Sequence, residues 1–205
     1  MKARWRGRRK HNLNPSAMEI ALKESLRNYF VQLAKTNERW REFSKSVERP
    51  LEALKNQSEQ FRHFCRETTS KPRDSRGLLL ICKINLGIED EITLILNELR
   101  PMKNLVERLE TARSEAAVRE PSFKELVEGT PLRPRLDLLL EWAIESSTYY
   151  SELTANISAN FKALDYKDAE SVTNWVEAFD QDRRRRERIE RILGFTQFFI
   201  KEPVK

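Results

Sequence analysis

Glycine is scarce in this chain: five in 205 residues, at Gly7, Gly77, Gly87, Gly129 and Gly194, and no two of them are close together. A phosphate-cradling loop needs clustered glycines so that backbone N–H groups can approach the anion, and none is present. Histidine is scarcer still, with His11 near the start and His63 beside Phe61 and Phe64. Imidazole is the usual acid–base group at neutral pH, so this inventory argues against an enzyme, and His63 reads as an ordinary helix residue. The two cysteines, Cys65 and Cys82, make neither a CxxC pair nor a disulfide-dense pattern. His63 and Cys65 stand two apart, which on a helix turns them about 200° from each other and does not support a shared metal ion. No cofactor is expected. The longest mainly apolar run, Leu78 to Ile84, is interrupted by Lys83 and is far shorter than the roughly 20 residues a membrane span requires. With no leader ending in a cleavage site either, a soluble protein of a reducing compartment, cytoplasm or nucleus, is expected.

Charge is plentiful, 34% of residues, and its distribution is uneven. The first eleven residues, MKARWRGRRKH, hold six Lys or Arg and no acid; without those six, 32 basic residues face 32 acidic ones, so the formal charge of +6 belongs to this tail. The remaining body has no net field to hold a polyanion against salt. Arg4, Arg6, Arg8, Arg9 and Lys10 are candidate phosphate contacts, and Trp5 a candidate stacking partner for an exposed base. An import signal and a merely solubilising end are equally compatible with the same residues.

Beyond the tail the apolar spacing is helical. Leu26, Leu33, Trp40 and Val47 are seven apart, with Leu22, Tyr29 and Phe43 between them, and Ser16 with Glu19 reads as a capping box for the start of this helix. A kink or short break is expected at Arg49-Pro50, with a second piece to about Glu67. TTSKPRDSRG reads as a loop. Then Ile81, Ile88, Ile95, Met102 and Leu109 repeat the heptad, through a possible bend at Pro101. Three prolines and a glycine punctuate 119–134, which reads as a linker with room for a short helix at Phe123 to Glu128. A helix from about Arg135 to Ala163, one after Asp168 carrying Val172, Trp175, Val176 and Phe179, and a last one with Ile189, Ile192, Leu193 and Phe199 complete the chain. No strand alternation and no repeat beyond the heptads appear. The fold class read from this is all-α: an elongated antiparallel bundle of five to six helices. Its parts are a basic tail (1–14), a long-helix hairpin (15–118), the linker and a C-terminal helical half (135–202).

Two features invite a functional reading. DRRRRERIER, Asp182 to Arg191, is either a solvated face with Arg183–Glu187 and Glu187–Arg191 pairs, or a docking surface through Arg183, Arg184, Arg185 and Arg186 for an acidic partner or structured RNA. Trp142, Tyr149 and Tyr150 are either core or partner contacts, and two adjacent tyrosines cannot both enter one seam, so one of them is a candidate for a partner.

LLEW at Leu139 to Trp142, Tyr150 eight residues after that Trp, LDYKD at Leu164 to Asp168, EAFD at Glu177 to Asp180 and FFIKE at Phe198 to Glu202 resemble the AIRIM-type ribosome-maturation factors. The front half is similar more loosely, through ALKESL at Ala21 to Leu26, Trp40 and Leu86-Gly87. The resemblance implies a non-enzymatic, all-helical adaptor in an assembly built on a hexamer of type II AAA ATPase chains, with a small helical partner of the CINP type. It would recruit the ATPase to late pre-60S particles for release of a maturation factor, in the cytoplasm and, through turnover at replicating chromatin, the nucleus. The basic tail departs from the family pattern, and nothing carries over to it.

Two rivals remain. One is a stand-alone RNA- or ribosome-associated protein acting through the tail and the Arg183 to Arg186 cluster; the other is a coiled-coil tether that dimerises along Leu26, Leu33, Trp40 and Val47. If the tail touches rRNA, its contribution is sequence-blind: deleting residues 1–12 abolishes a salt-sensitive component of RNA binding measured by titration at several ionic strengths, whereas an unchanged salt dependence removes the tail from any RNA contact.

Overall fold

The computed structural model describes residues 15–68, 75–117, 128–130 and 134–201. Among them are five α-helices: α1 (Pro15–Thr68), α2 (Ser75–Ala117), α3 (Leu136–Lys162), α4 (Ala169–Glu177) and α5 (Arg183–Lys201). The expected all-α bundle is the observed architecture, while the tail and the short helix expected at Phe123 to Glu128 lie outside or almost wholly outside the described residues.

One feature differs from the sequence reading. The capping box expected of Ser16 with Glu19 rests on a start of α1 that lies at the edge of the described residues. The break expected at Pro50 is absent: Pro50 sits inside an unbroken helix of 54 residues, just as Pro101 sits inside α2. An interior proline costs a helix about 3 kcal/mol. Burial of Val47, Leu51 and Leu54, on either side of Pro50, contributes roughly 1.5–3 kcal/mol each, and that sum exceeds the penalty.

Cross-helix contacts give the directions. α2 runs antiparallel to α1: Arg39 and Ser46 of α1 both bond Glu98, while Gln57, further along α1, lies against Gly87, earlier in α2. α3 runs parallel to α1, since the Tyr29 hydroxyl donates to the Ala143 carbonyl at 2.8 Å and Tyr150 donates to Asn37 Oδ1 at 2.9 Å. α5 returns antiparallel, with Arg27 donating to the Ile200 carbonyl, Arg41 pairing with Glu190 and Gln181 reaching Ser44. The result is an up-down-up-down bundle in which α1 touches every other helix. α4 is a short element across one side. Asp168 caps it as expected, accepting from the N–H groups of Glu170 and Ser171. Its Trp175 sits between Phe161 and Phe179, and Phe179 in turn meets Phe43 of α1.

A single apolar core runs through residues of α1 to α5. Leu26, Leu33, Trp40 and Val47 are between 0% and 2% exposed within it, so the row proposed as the seam of a homodimeric tether is already covered by the chain's own helices. That rival therefore fails: a row consumed inside the monomer cannot also pair with a second copy.

Two phenols stand where the helices meet. Tyr29 and Tyr150 are essentially inaccessible, and burial pushes the ionisation of each far above the ordinary tyrosine value. A hydrogen bond to Ser146 opposes the shift at Tyr29, while neighbouring Tyr149 and Tyr29 add to it at Tyr150. The folded chain thus holds these protons more tightly than the unfolded one. Below pH of about 10 both states are protonated and stability is flat; above it, stability falls as pH rises. We expect tyrosinate absorbance from these two residues to appear together with loss of helical circular dichroism, and ionisation of both in a chain that stays helical would contradict the burial. Core packing is tested by Leu33→Ala, which should cost about 2–5 kcal/mol in denaturant unfolding. Leu94→Ala, at a 53% exposed position, should stay within about 0.5 kcal/mol.

Candidate interaction surfaces

The arginine run forms the first two turns of α5, the unfavourable end of a helix for cations. Asp182 compensates, its carboxylate accepting from the N–H groups of Arg184 at 2.8 Å and Arg185 at 3.3 Å. The guanidiniums are then largely taken by acids of the same chain. Arg183 pairs with Glu187 as the spacing predicts, Arg185 with Glu152, Arg186 with Glu190 and Arg188 with Glu145. Arg191 reaches the Glu187 carbonyl and not its carboxylate. Glu190 serves two helices: the hydrogen bond from Arg41 of α1, above all, holds its carboxyl below the usual range. Three of the four arginines named as a docking surface are thus engaged within the bundle, two of them with α3 or with a second acid of α5 that also holds α1. Only Arg184 of the four has no ion pair among the described residues.

Tyr149 and Tyr150 are both buried, so neither faces outward as the sequence reading expects of one of them. The two rings meet edge to face, 5.0 Å between centroids, and each packs in addition against a different neighbouring helix. Tyr150 enters the α1–α3 seam against Trp40, 5.7 Å between ring centroids. Tyr149 enters the α3–α5 seam, with the Arg185 guanidinium 5.1 Å over its ring and its hydroxyl 3.4 Å from Gln181. Because α3 is bordered on two sides, both are enclosed by the chain itself.

Trp142 behaves differently. It is itself mostly covered, yet its ring stacks at 5.7 Å and 19° on Phe195 of α5, and Phe195 is 58% exposed. Around this stack lies an open groove of about 770 Å³ between the start of α3 and the second half of α5. Leu138, Trp142, Phe195 and Phe198 make it apolar, and Arg191 and Gln197 stand among its polar lining. At Gly194 an added Cβ would meet nothing within 4 Å, so the groove is open there. Such a surface suits an apolar helix or peptide face better than a charged ligand. The sequence reading singles out Trp142 but misses Leu138, Phe195 and Phe198 as one surface. A signal was available: α5 buries Ile189, Ile192, Thr196 and Phe199, and Phe195 and Phe198 fall outside that face.

The tail candidates Arg4, Trp5, Arg6, Arg8, Arg9 and Lys10 lie outside the described residues. Among the described residues no three His, Cys, Asp or Glu side chains gather as a metal site, and no helix is long and apolar enough to cross a membrane.

Comparison with known proteins places the chain. No curated protein matches it significantly. The CA109-like family, described as ribosome biogenesis protein C1orf109-like, matches residues 20–198, the span that contains nearly all of the core and every residue lining the groove. On that match the chain belongs to the C1orf109-like family of ribosome biogenesis proteins.

Proposed function

We infer that within ribosome biogenesis this chain is a non-enzymatic adaptor. It links a type II AAA ATPase hexamer to cytoplasmic pre-60S particles, where the ATPase releases a maturation factor, and it also acts in the nucleus. The observation that carries the reading is the open apolar groove between α3 and α5, an exposed surface of the type that protein partners cover. Its occupant in this reading is the small helical subunit of the CINP type. Chemistry would reside in the ATPase; this chain contributes rigid surfaces on a bundle locked by buried tyrosine hydrogen bonds. The stand-alone RNA-binding alternative draws less support, because most of the arginine cluster neutralises acids of its own chain.

The test is recovery of the tagged full chain from its own cells after nuclease treatment, with stoichiometry by mass spectrometry. We expect AAA ATPase chains and one small helical partner in near-stoichiometric amounts, with or without residues 1–12. Gly194→Glu and Phe198→Glu, both at exposed positions, should lose the small partner by at least about tenfold while keeping helicity. Recovery of ribosomal material alone, abolished by nuclease or by removal of the tail, overturns the adaptor reading in favour of direct RNA binding.

A further inference from the structure

The outer side of α2, away from its seam with α1, carries an exposed row: Leu79, Lys83, Leu86, Asp90 and Leu94. At 100° per residue these five fall within a face about 80° wide. The three leucines are 63%, 60% and 53% exposed, far outside what a soluble helix needs for its own packing. Lys83 and Asp90 are exposed, and neither has an ion-pair or hydrogen-bond partner among the described residues.

The row is chemically palindromic. Reversed about the midpoint between Leu86 and Gly87, Leu79 falls opposite Leu94, Lys83 opposite Asp90, and Leu86 beside its own copy. Arg76 falls opposite Asn97, both exposed. A two-fold axis through that midpoint therefore sets apolar against apolar and cation against anion, each pairing occurring twice, which is the condition for an isologous interface. Parallel, in-register pairing would oppose Lys83 to Lys83 and Asp90 to Asp90, and like charges exclude it. The inner heptad row of α2, with Ile88, Ile95, Met102 and Leu109, is buried inside the monomer, so on this helix the outer row is the apolar face available for self-recognition.

We propose that α2 is a self-association surface on which a second copy of this chain docks antiparallel along the Leu79 to Leu94 row. The row is about 24 Å long. An interface of that length belongs to the smallest class, so the dimer is reversible and not obligate. The proposal stands apart from the α3–α5 groove and from the identity of any ATPase partner.

Sedimentation equilibrium of the full chain up to about 100 μM, the range where small interfaces assemble, should show a monomer–dimer equilibrium. Lys83→Glu alone and Asp90→Lys alone should each weaken it about tenfold, because each creates two like-charge contacts, and the double variant Lys83→Glu with Asp90→Lys should recover to within about threefold of the original. Circular dichroism should be unchanged throughout, as neither side chain has an ion-pair or hydrogen-bond partner among the described residues. Orientation is read by mixing Leu79→Cys and Leu94→Cys proteins in a Cys82→Ser background. A disulfide should join the two variants to each other, and Leu79→Cys alone should form none. A chain that stays monomeric across the range overturns the proposal, as does a double variant no better than the singles or a Leu79→Cys self-crosslink. Protection of the row only on addition of the small helical partner would hand the surface to that partner instead.

Discussion

α1 carries more apolar surface than one partner helix can cover, and the bundle is the solution to that excess. Leu26, Leu33, Trp40 and Val47 form one heptad row, Tyr29, Phe30 and Phe43 flank it, and every one of them is almost fully buried. A hairpin with α2 alone would leave part of this surface in water. Return of the chain through α3, α4 and α5 covers it: Trp40 meets Tyr150, Phe30 meets Phe199, Phe43 meets Phe179, and Tyr29 and Asn37 take hydrogen bonds from or to α3. Burial of so many large side chains outweighs the proline penalty within α1 and keeps it a single helix.

Polar contacts then select one arrangement among those that burial alone would permit. A tyrosine hydroxyl placed in the core with no acceptor costs about 1–3 kcal/mol, so Tyr29 and Tyr150 favour the register in which Ala143 and Asn37 lie opposite them. The arginines at the start of α5 act at longer reach. Their pairs with Glu145, Glu152 and Glu190 are solvent-exposed and individually weak, worth about 0–1 kcal/mol each at most, yet together they favour one seating of α5 against α3 and α1. A run that resembles a polyanion-binding patch is thereby largely neutralised inside its own fold.

What remains after core and ion pairs are satisfied is the surface available to partners. Among the described residues two apolar surfaces stay open, the α3–α5 groove and the outer row of α2, and they are chemically distinct. The groove is aromatic, with a stacked Trp142–Phe195 pair at its centre, and offers a receiving surface for a different chain. The α2 row is aliphatic with one cation and one anion placed symmetrically about its midpoint, a pattern suited to its own copy.

Helix content, the limits of α3 to within a residue, the Asp168 cap and the heptad rows of α1 and α2 are all legible in the sequence, because helical periodicity and capping are local properties. Trp142 was legible as a notable aromatic for the same reason. Local pattern says which residues share a face and leaves open what covers that face. Tyr149 and Tyr150 illustrate the limit: adjacency in the chain does not say what covers each ring, and only the presence of helices on two sides of α3 makes both buried. The arginine run shows it again, since Glu145, Glu152 and Arg41 lie far from it in the chain and reach it only through the fold. The sequence by itself determined the helices, their amphipathic faces and the family; the tertiary structure alone decided which faces were spent and which were left, because covering a surface depends on residues distant along the chain.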